Sequence, residues 1–271
     1  MIRRPRPIIL ISLGVSLAGC VVAGQAPGAV SPTSSPVATS SARTATPAPT
    51  AVPSPSPSPS GGCTYIRDVP DFAPLQPEPY CIDLPVKGPA STVRVTWDIP
   101  AEGWNQWIGA FRLEPNSDRH VALTVATISN LVVDGCHDHR PLDPPVGPSV
   151  DDLATAFSRL QPYEVIAPPA DITKYGYRGK GLTLRSPVLP TETRGGDEVL
   201  KDCVDGTVWT WISPAIGHAF YGYAGGEVSK YWILDVDGTR VTIATSRFPE
   251  SPKADVAELE RILDSIRIER Q

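Results

Sequence analysis

Between residues 21 and 62 the chain cannot form a hydrophobic core. This stretch contains nine Pro, nine Ser, eight Ala and five Thr, and its single charged side chain is Arg43. So little large apolar surface cannot offset the conformational entropy that folding removes. We therefore expect residues 20–62 to be a disordered linker, and we expect residues 63–271 to form a single folded domain.

An export signal precedes the linker. Three arginines near the N-terminus are followed by an apolar run from Ile8 to Ala18. This run is shorter than the roughly 20 residues of a transmembrane helix. It ends in Leu17-Ala18-Gly19-Cys20, which resembles the lipobox of bacterial lipoproteins. The resemblance implies that residues 1–19 are a signal peptide and that Cys20 is lipidated, with palmitate among its acyl chains. The alternative is an ordinary secretory signal with a chance cysteine.

Lipidation places the mature chain at the extracytoplasmic face of the bacterial cell membrane. Each buried CH2 group of an acyl chain contributes about 0.8 kcal/mol, so no membrane-spanning helix is required. The Pro-Ser repeat at residues 53–60 favours extended backbone and makes the linker a spacer. Loss of the N-terminal arginines takes the formal net charge from −5 to −8. An acidic mature chain argues against nucleic acid as a partner.

The folded domain begins with a segment that has no regular period. Residues 63–91 are rich in Pro, and we interpret them as an irregular lead-in that lies over the core. Residues 92–99 then alternate, with Val93, Val95 and Trp97 on one face. Residues 108–113 are the expected partner of this strand.

Strands predominate in the rest of the domain. Residues 121–133 contain two overlapping alternations, which predict one long strand with a bulge near Thr127. The later alternating segments are residues 172–184, 207–212, 218–223, 228–236 and 239–245. We expect them to form an antiparallel sheet.

Two segments instead have helical spacing. Ser149, with Asp152 three residues later, forms a near capping box before the apolar positions 150, 153, 154, 157 and 160. Ser251-Pro252 precedes the second set, at positions 256, 259, 262, 263 and 266. Runs of strands with two separated helices predict an α+β fold rather than a doubly wound α/β fold.

Several segments resemble one family. Residues 95–104, which read VTWDIPAEGW, are similar to the strand, Pro-containing turn and Trp that open PsbP-like domains. Residues 147–153, 176–180, 232–238 and 263–267 resemble a recurrent extracytoplasmic module of actinobacteria. The resemblance implies a lipoprotein with a twisted antiparallel sheet under two covering helices. It concerns turns and core positions, and it brings no catalytic residue with it.

Four cysteines remain after Cys20. An even number in an exported chain is typical of disulfides, and three pairings of Cys63, Cys81, Cys136 and Cys203 can be drawn. We favour Cys63 with Cys81 and Cys136 with Cys203. A rival interpretation takes residues 136–139, which read CHDH, as a zinc site. Zinc ligands usually come from two separated clusters, so we expect no metal and no cofactor.

Residues 235–239, which read DVDGT, match the signature of haloacid-dehalogenase-type phosphatases. In those enzymes the motif opens a large α/β domain. Here strand alternation continues directly after it, and Asp-Gly is a favoured pair in tight hairpin turns. We therefore interpret the motif as a turn.

No G-x-S-x-G elbow, H-E-x-x-H helix, phosphate-binding loop or EF-hand loop occurs in the domain. The four histidines, His120, His137, His139 and His218, are expected to be solvated loop residues. We therefore expect a protein that is not an enzyme and that binds a small ligand or a protein partner in the envelope. An unrecognised hydrolase using His218 or residues 137–139 is one alternative.

Aromatic residues provide a second alternative. If they face water, they form a platform suited to stacking on sugars or clamping a peptide. The candidates for this platform are Trp104, Trp107, Trp209, Trp211, Tyr221, Tyr223 and Trp232. An exposed platform would favour a carbohydrate-binding module, whereas buried rings would be core residues.

Replacing Cys20 by Ala tests the anchor. The Cys20→Ala chain is expected to be soluble or uncleaved, because the lipid is attached through this thiol. Membrane fractionation with mass measurement of the N-terminus distinguishes the two states. A cleaved Cys20→Ala chain that remained in the membrane fraction would contradict lipid anchoring.

Overall fold

The computed structural model describes residues 62–85, 92–113, 120–195, 197–213, 219–222 and 225–271. All of them belong to one unit, Ser58–Gln271. The predicted signal peptide, Cys20 and the predicted linker up to residue 61 lie outside the described residues, as do His218 and Tyr223. None of the helices in the described ranges has the length and apolar character needed to cross a membrane.

Strands β1 to β17 and helices α1 and α2 are numbered in chain order. The first strands are β1 (Thr64–Tyr65), β2 (Pro79–Pro85), β3 (Thr92–Asp98), β4 (Asn105–Gln106), β5 (Gly109–Leu113), β6 (His120–Ala126), β7 (Asn130–Asp134) and β8 (Asp138–Pro141). Helix α1 (Val150–Phe157) is followed by β9 (Glu164–Lys174), β10 (Tyr177–Arg185), β11 (Thr191–Arg194), β12 (Asp197–Leu200), β13 (Val208–Ile212), β14 (Ala219–Gly222), β15 (Val228–Val236) and β16 (Thr239–Arg247). Helix α2 (Lys253–Asp264) and β17 (Arg267–Arg270) end the chain, and short 3-10 helices occur at Ile66–Asp68 and Val204–Gly206.

A seven-stranded central sheet organises these elements, in the order β4-β5-β6-β16-β15-β10-β9. All its neighbouring strands are antiparallel. An N-terminal sheet has the order β1-β2-β3-β17, and a third sheet, called here the β13 sheet, has the order β14-β13-β7-β8. Strands β11 and β12 form a separate hairpin.

Both faces of the central sheet are covered by a hydrophobic core. The first core joins it to the N-terminal sheet and α2, with Trp97, Trp232 and Ile262 among the buried residues. The second core joins the opposite face to the β13 sheet and α1, with Phe157 and Trp211 among the buried residues. Alternate residues of β15 and β16 therefore enter different cores.

Local sequence signals placed several elements correctly. Helix α1 begins at the predicted cap, and Ser149 and Asp152 make both hydrogen bonds of a capping box. Helix α2 was also predicted, but Ser251 does not cap it, since its hydroxyl accepts a hydrogen bond from the Phe248 backbone N–H at 3.0 Å. The Asp237-Gly238 turn between β15 and β16 is confirmed, with φ of 54° and 76°.

The predicted fold class, an α+β domain with one PsbP-like sheet under two helices, is wrong. Strands make up 51% of the described structure and helices 14%, and the strands lie in several sheets. The two helices lie on opposite faces of the central sheet, each beside a further sheet. Segments with little periodicity in the sequence, the lead-in and the C-terminal tail, supply β1, β2 and β17 and so raise the strand content.

Two predicted strand arrangements also need correction. The partners of β3 are β2 and β17, not residues 108–113, so the lead-in is not wholly irregular. Residues 121–133 are not one bulged strand. The chain leaves the central sheet after β6 and enters the β13 sheet at β7, and Ser129 N–H donates to the Ile212 carbonyl at 2.9 Å where it crosses.

Two disulfides tie the loops to these sheets. Cys63 is bonded to Cys81 and Cys136 to Cys203, the pairing favoured from the sequence. The first closes a sequence separation of 18 residues and the second one of 67. Loss of the longer loop constraint releases more entropy in the unfolded chain.

Replacing Cys136 and Cys203 together by Ser should lower the free energy of unfolding by about 4 kcal/mol, and replacing Cys63 and Cys81 by about 3 kcal/mol. Urea unfolding of the two variants and the parent chain measures this difference. Nonreducing peptide mapping of the parent should recover both pairs. A peptide linking Cys63 to Cys136 or Cys203 would contradict the topology.

Candidate functional site

The predicted aromatic platform does not exist as one surface. Three of its tryptophans are core residues: Trp104 is 0%, Trp211 2% and Trp232 7% exposed, and they are divided between the two cores. Trp107 and Trp209 are half-buried. Tyr221 lies in β14, and Tyr223 lies outside the described residues.

A different group of rings lies together near the surface, and we call it the aromatic surface: the exposed Phe72 and the half-buried Trp107 and Phe111. Phe72 is 59% exposed. Its ring stacks on Trp107, with centroids 4.8 Å apart and planes 23° apart. It also meets Phe111 edge to face, with centroids 6.0 Å apart and planes 82° apart. Leu113, 49% exposed, extends the apolar surface along β5.

Backbone hydrogen bonds fix the lead-in against β4 and so position Phe72. The Phe72 N–H donates to the Gln106 carbonyl at 3.0 Å, and the Gln106 N–H donates to the Ala73 carbonyl at 2.9 Å. The Leu75 N–H donates to the Trp104 carbonyl at 2.7 Å. The aromatic surface is therefore built on a paired backbone.

The backbone around the aromatic surface adopts unfavourable conformations. Phe72 has φ of 64° and Ile108 has φ of 50°, and a β-branched residue such as isoleucine rarely occupies this region. At Gly109, φ is 154°, and an added Cβ would lie 2.2 Å from the Leu123 carbonyl oxygen. Such backbone conformations cost free energy and persist only where the surrounding fold compensates for that cost. They are found often at functional sites.

An ionic network holds the opposite side of the β4–β5 hairpin in the first core. Arg112 lies between Asp255 at 3.0 Å and Glu258 at 2.7 Å, both on α2. Its guanidinium lies 5.0 Å from the Trp104 ring centroid, and the Trp104 indole N–H donates to Glu258 at 3.1 Å. These side chains are mostly buried, so the hairpin is fixed on one side while its other side carries Phe111.

A row of small side chains crosses the central sheet from the aromatic surface. Phe111 lies opposite Ala122 on β6, Ala122 opposite Ser246 on β16, and Ser246 opposite Ser229 on β15. All three small residues are half-buried although they lie on inner strands. We call them the small-residue row, because no large side chain stands at these three positions.

A buried polar group lies beside the small-residue row. The imidazole Nε2 of His120 is 3.6 Å from Oε1 of Glu227 and 3.2 Å from the Ser246 hydroxyl. His120 is 6% and Glu227 4% exposed. The carboxylate and the hydroxyl both approach the same nitrogen, whereas a catalytic Ser-His-acid triad places them on opposite nitrogens. The sequence prediction that His120 is a solvated loop residue is wrong.

Two tyrosines, Tyr163 and Tyr231, are buried in the second core. Burial raises the pKa of Tyr163, and its hydrogen bond with the Thr210 hydroxyl at 3.0 Å lowers it less than burial raises it. Burial also raises the pKa of Tyr231, and the charges of Tyr163 and Glu227 raise it further. The negative charge of Glu227 raises the pKa of both tyrosines.

Residues 136–139, the rival zinc motif, make contacts with other residues. Cys136 is in a disulfide, Asp138 pairs with Arg140, and the His139 ring stacks on Trp209 with centroids 5.2 Å apart. His137 lies 3.3 Å from Asp134 and is exposed. Within the described ranges, no three His, Cys, Asp or Glu side chains are grouped so that they could hold one metal ion.

Comparison with known proteins yields one weak similarity. No family model matches the chain, and no curated protein matches it. The chain is similar to a solved structure of LpqN, described as involved in cell envelope biogenesis of Mycobacterium tuberculosis. The match covers 69% of this chain and 91% of LpqN, at 8% sequence identity and a TM-score of 0.33. These values do not establish a shared fold.

Sequence reasoning missed two of the three rings of the aromatic surface. Phe72 lies in the Pro-rich lead-in, where no period indicates which side chains are buried. Phe111 lies in a segment that was predicted as a strand, and alternation does not reveal which face is covered. One signal for Phe72 was present in the sequence. Phe72 directly follows the charged Asp71 in a segment without apolar periodicity, which is compatible with an exposed ring.

Alanine substitution should separate the aromatic surface from the core. Phe157→Ala removes a ring that is 0% exposed and is expected to lower the free energy of unfolding by about 3 to 5 kcal/mol. Phe72→Ala removes an exposed ring and is expected to cost about 1 kcal/mol or less. Chemical denaturation measures both. A loss at Phe72 equal to that at Phe157 would make Phe72 a core residue.

Proposed function

We propose that this chain is an exported lipoprotein, anchored through Cys20 to the extracytoplasmic face of the cell membrane, whose domain binds a protein partner without catalysis. The lipobox-like residues 17–20 and the Pro/Ser spacer support the anchor. The observation that best supports the binding function is that Phe72 is exposed although its backbone has an unfavourable positive φ. Exposed aromatic rings held in this way are typical of interaction sites.

The arrangement of the rings favours a protein partner over a glycan. Sugar platforms present separate ring faces side by side, whereas here Phe72 covers one face of Trp107 and Phe111 stands across Phe72. The result is a compact apolar knob whose most exposed ring is Phe72. Such a knob fits between apolar side chains of a protein, as interface anchors do.

The polar groups give little support to a hydrolase. Ser246 and Glu227 share one nitrogen of His120, so the carboxylate is not placed to orient the ring while the other nitrogen takes a proton from the serine. His120 and Glu227 are also almost fully buried. A binding role requires neither proton transfer nor an open catalytic cleft.

Site-specific photo-crosslinking in the producing organism tests the proposal. A benzophenone amino acid at position 72 or 107 is expected to give one discrete crosslinked band, because both positions lie on the aromatic surface. The control position is Val188, which is 78% exposed but lies outside it. Added soluble Cys20→Ser chain should compete the band away.

The competitor provides the decisive control. A Cys20→Ser chain that also carries Phe72→Ser and Phe111→Ser is expected to lose at least about tenfold in competing strength, because the buried anchors of an interface contribute most of its affinity. Equal competition by both chains, or an equal band from position 188, would refute a protein-binding role of the aromatic surface.

A further inference from the structure

A group of basic side chains lies on the face of the central sheet that carries the first core. Along this face of β15, burial decreases from Trp232, which is 7% exposed, to Lys230, which is exposed. Arg185 on β10 and Arg247 on β16 both lie opposite Val228, and opposite residues share a face. They therefore flank Lys230, two residues further along β15. We call the following group the basic patch: Lys174, Arg185, Lys230 and Arg247.

Two of these cations converge on one indole ring. Nζ of Lys230 lies 4.9 Å and Nζ of Lys174 lies 5.0 Å from the ring centroid of Trp232. Nζ of Lys174 also lies 4.6 Å from the ring centroid of Tyr175. The ring faces attract the ammonium groups, whereas the two ammonium groups repel each other. An anion that approaches both lysines would reduce this repulsion.

The cations of the basic patch have few partners within the protein. Across the described residues, Lys174, Lys230 and Arg247 take part in no ion pair. Arg185 pairs with Glu164 at 3.1 Å, and both of these side chains are partly exposed. Most of the positive charge of the patch is therefore available to an anionic partner from outside the chain.

Two acidic side chains of α2 lie near one end of the basic patch. Burial raises the pKa of Tyr175, and the charges of Asp264 and Glu260 raise it further. Both acids are exposed, and neither forms an ion pair with the patch within the described structure. The positive charge is therefore least compensated at the other end, at Lys230 and Arg247.

The basic patch is spread over a sheet face. Its members stand on four neighbouring strands, β9, β10, β15 and β16, which span about 14 Å at about 4.8 Å per interval. The half-buried Thr183 and Thr245 lie opposite Lys230 on either side and add hydroxyl donors. Such an extended set of donors fits a surface with many anionic groups better than it fits one small anion. The formal net charge of the chain is −5, so the patch differs in sign from the molecule as a whole.

We propose that the basic patch binds the anionic phospholipid headgroups of the membrane to which Cys20 anchors the chain. The anchor rests on the proposed function, whereas the patch and its charge do not. The predicted linker, residues 21–62, has a root-mean-square length of about 35 Å as a flexible coil, so the domain can return to the membrane surface. Each Lys or Arg close to an anionic surface strengthens binding about fivefold.

Membrane binding by the basic patch orients the aromatic surface. Ser229 directly precedes Lys230 and belongs to the row of opposed residues that begins at Phe111. Because successive residues of a strand point to opposite faces, Phe111 and Lys230 lie on opposite faces of the central sheet. A domain held on the membrane by Lys230 therefore presents Phe111 away from the membrane, toward partners in the envelope.

Lysine labelling of the membrane-tethered protein tests the proposal. The mature chain, residues 20–271, is coupled through the Cys20 thiol to a maleimide lipid, since the other four cysteines are in disulfides. The vesicles contain phosphatidylcholine alone or mixed with phosphatidylglycerol. Acetylation of Lys230 by an uncharged reagent, followed by peptide mass spectrometry, is expected to be at least about fivefold slower on the anionic vesicles. Lys201, exposed outside the patch, is the control lysine and should react equally on both.

Charge variants test whether the patch itself is responsible. Arg247→Gln keeps Lys230 as the reporter and is expected to remove most of its protection, and about 0.5 M sodium chloride should remove the rest by screening. Arg178→Gln is the matched control, because Arg178 is exposed and lies an odd number of residues from Arg185, on the opposite face of β10. Unfolding curves of both variants verify the fold.

Equal labelling of Lys230 on neutral and anionic vesicles, or equal effects of the two variants, would overturn membrane binding by the basic patch. Protection by free inorganic phosphate, at matched ionic strength, equal to that by anionic vesicles would also overturn it, because it would assign the patch to a single small anion. The chemical coupling makes these results independent of whether cells lipidate Cys20. They are equally independent of crosslinking from position 72.

Discussion

The register between β15 and β16 decides which side chains of the central sheet enter each core. It is closed by the turn at Asp237 and Gly238, both in the left-handed region, and it continues without a bulge to Val228. Trp232 thereby enters the first core and Tyr231 the second. Because successive side chains point to opposite faces, a shift by one residue would exchange the two sets. The neighbouring strands β10 and β6 are paired with β15 and β16, so their side chains are assigned to the two faces by the same register.

The aromatic surface follows from the same alternation at the edge of the sheet. On β5, Arg112 points into the first core, where it is fixed between two acids of α2 and the Trp104 ring. Its neighbour Phe111 must then point to the other face. The second core covers that face mainly over β10 and β15, through α1. β5 lies three strands away from β15 in the sheet order, and Phe111 on β5 is half-buried.

Apart from the Cys136–Cys203 disulfide, which joins residues 67 positions apart, the features predicted correctly from the sequence were local. The Ser149 capping box and the Asp-Gly turn involve residues within a few positions of each other, and both formed as expected. The pairing of β3 with β17 joins residues 92–98 to residues 267–270. The residue pattern of neither segment indicates that the other is its partner. Alternation through Thr127 likewise gave no sign that the chain changes sheets there. The fold class was wrong because it depends on these distant pairings.

For the candidate site, residue type was a poor guide and backbone conformation a better one. Tryptophans drew attention, yet Trp104, Trp211 and Trp232 bury large rings that the cores require. Phe72 gains little from burial, because more than half of it is exposed, and its positive φ costs about 1 kcal/mol. Stacking on Trp107 stabilises the folded state by about the same free energy. A glycine would take this backbone without strain. The ring at position 72 therefore contributes almost nothing net to stability, which agrees with the binding role proposed for it.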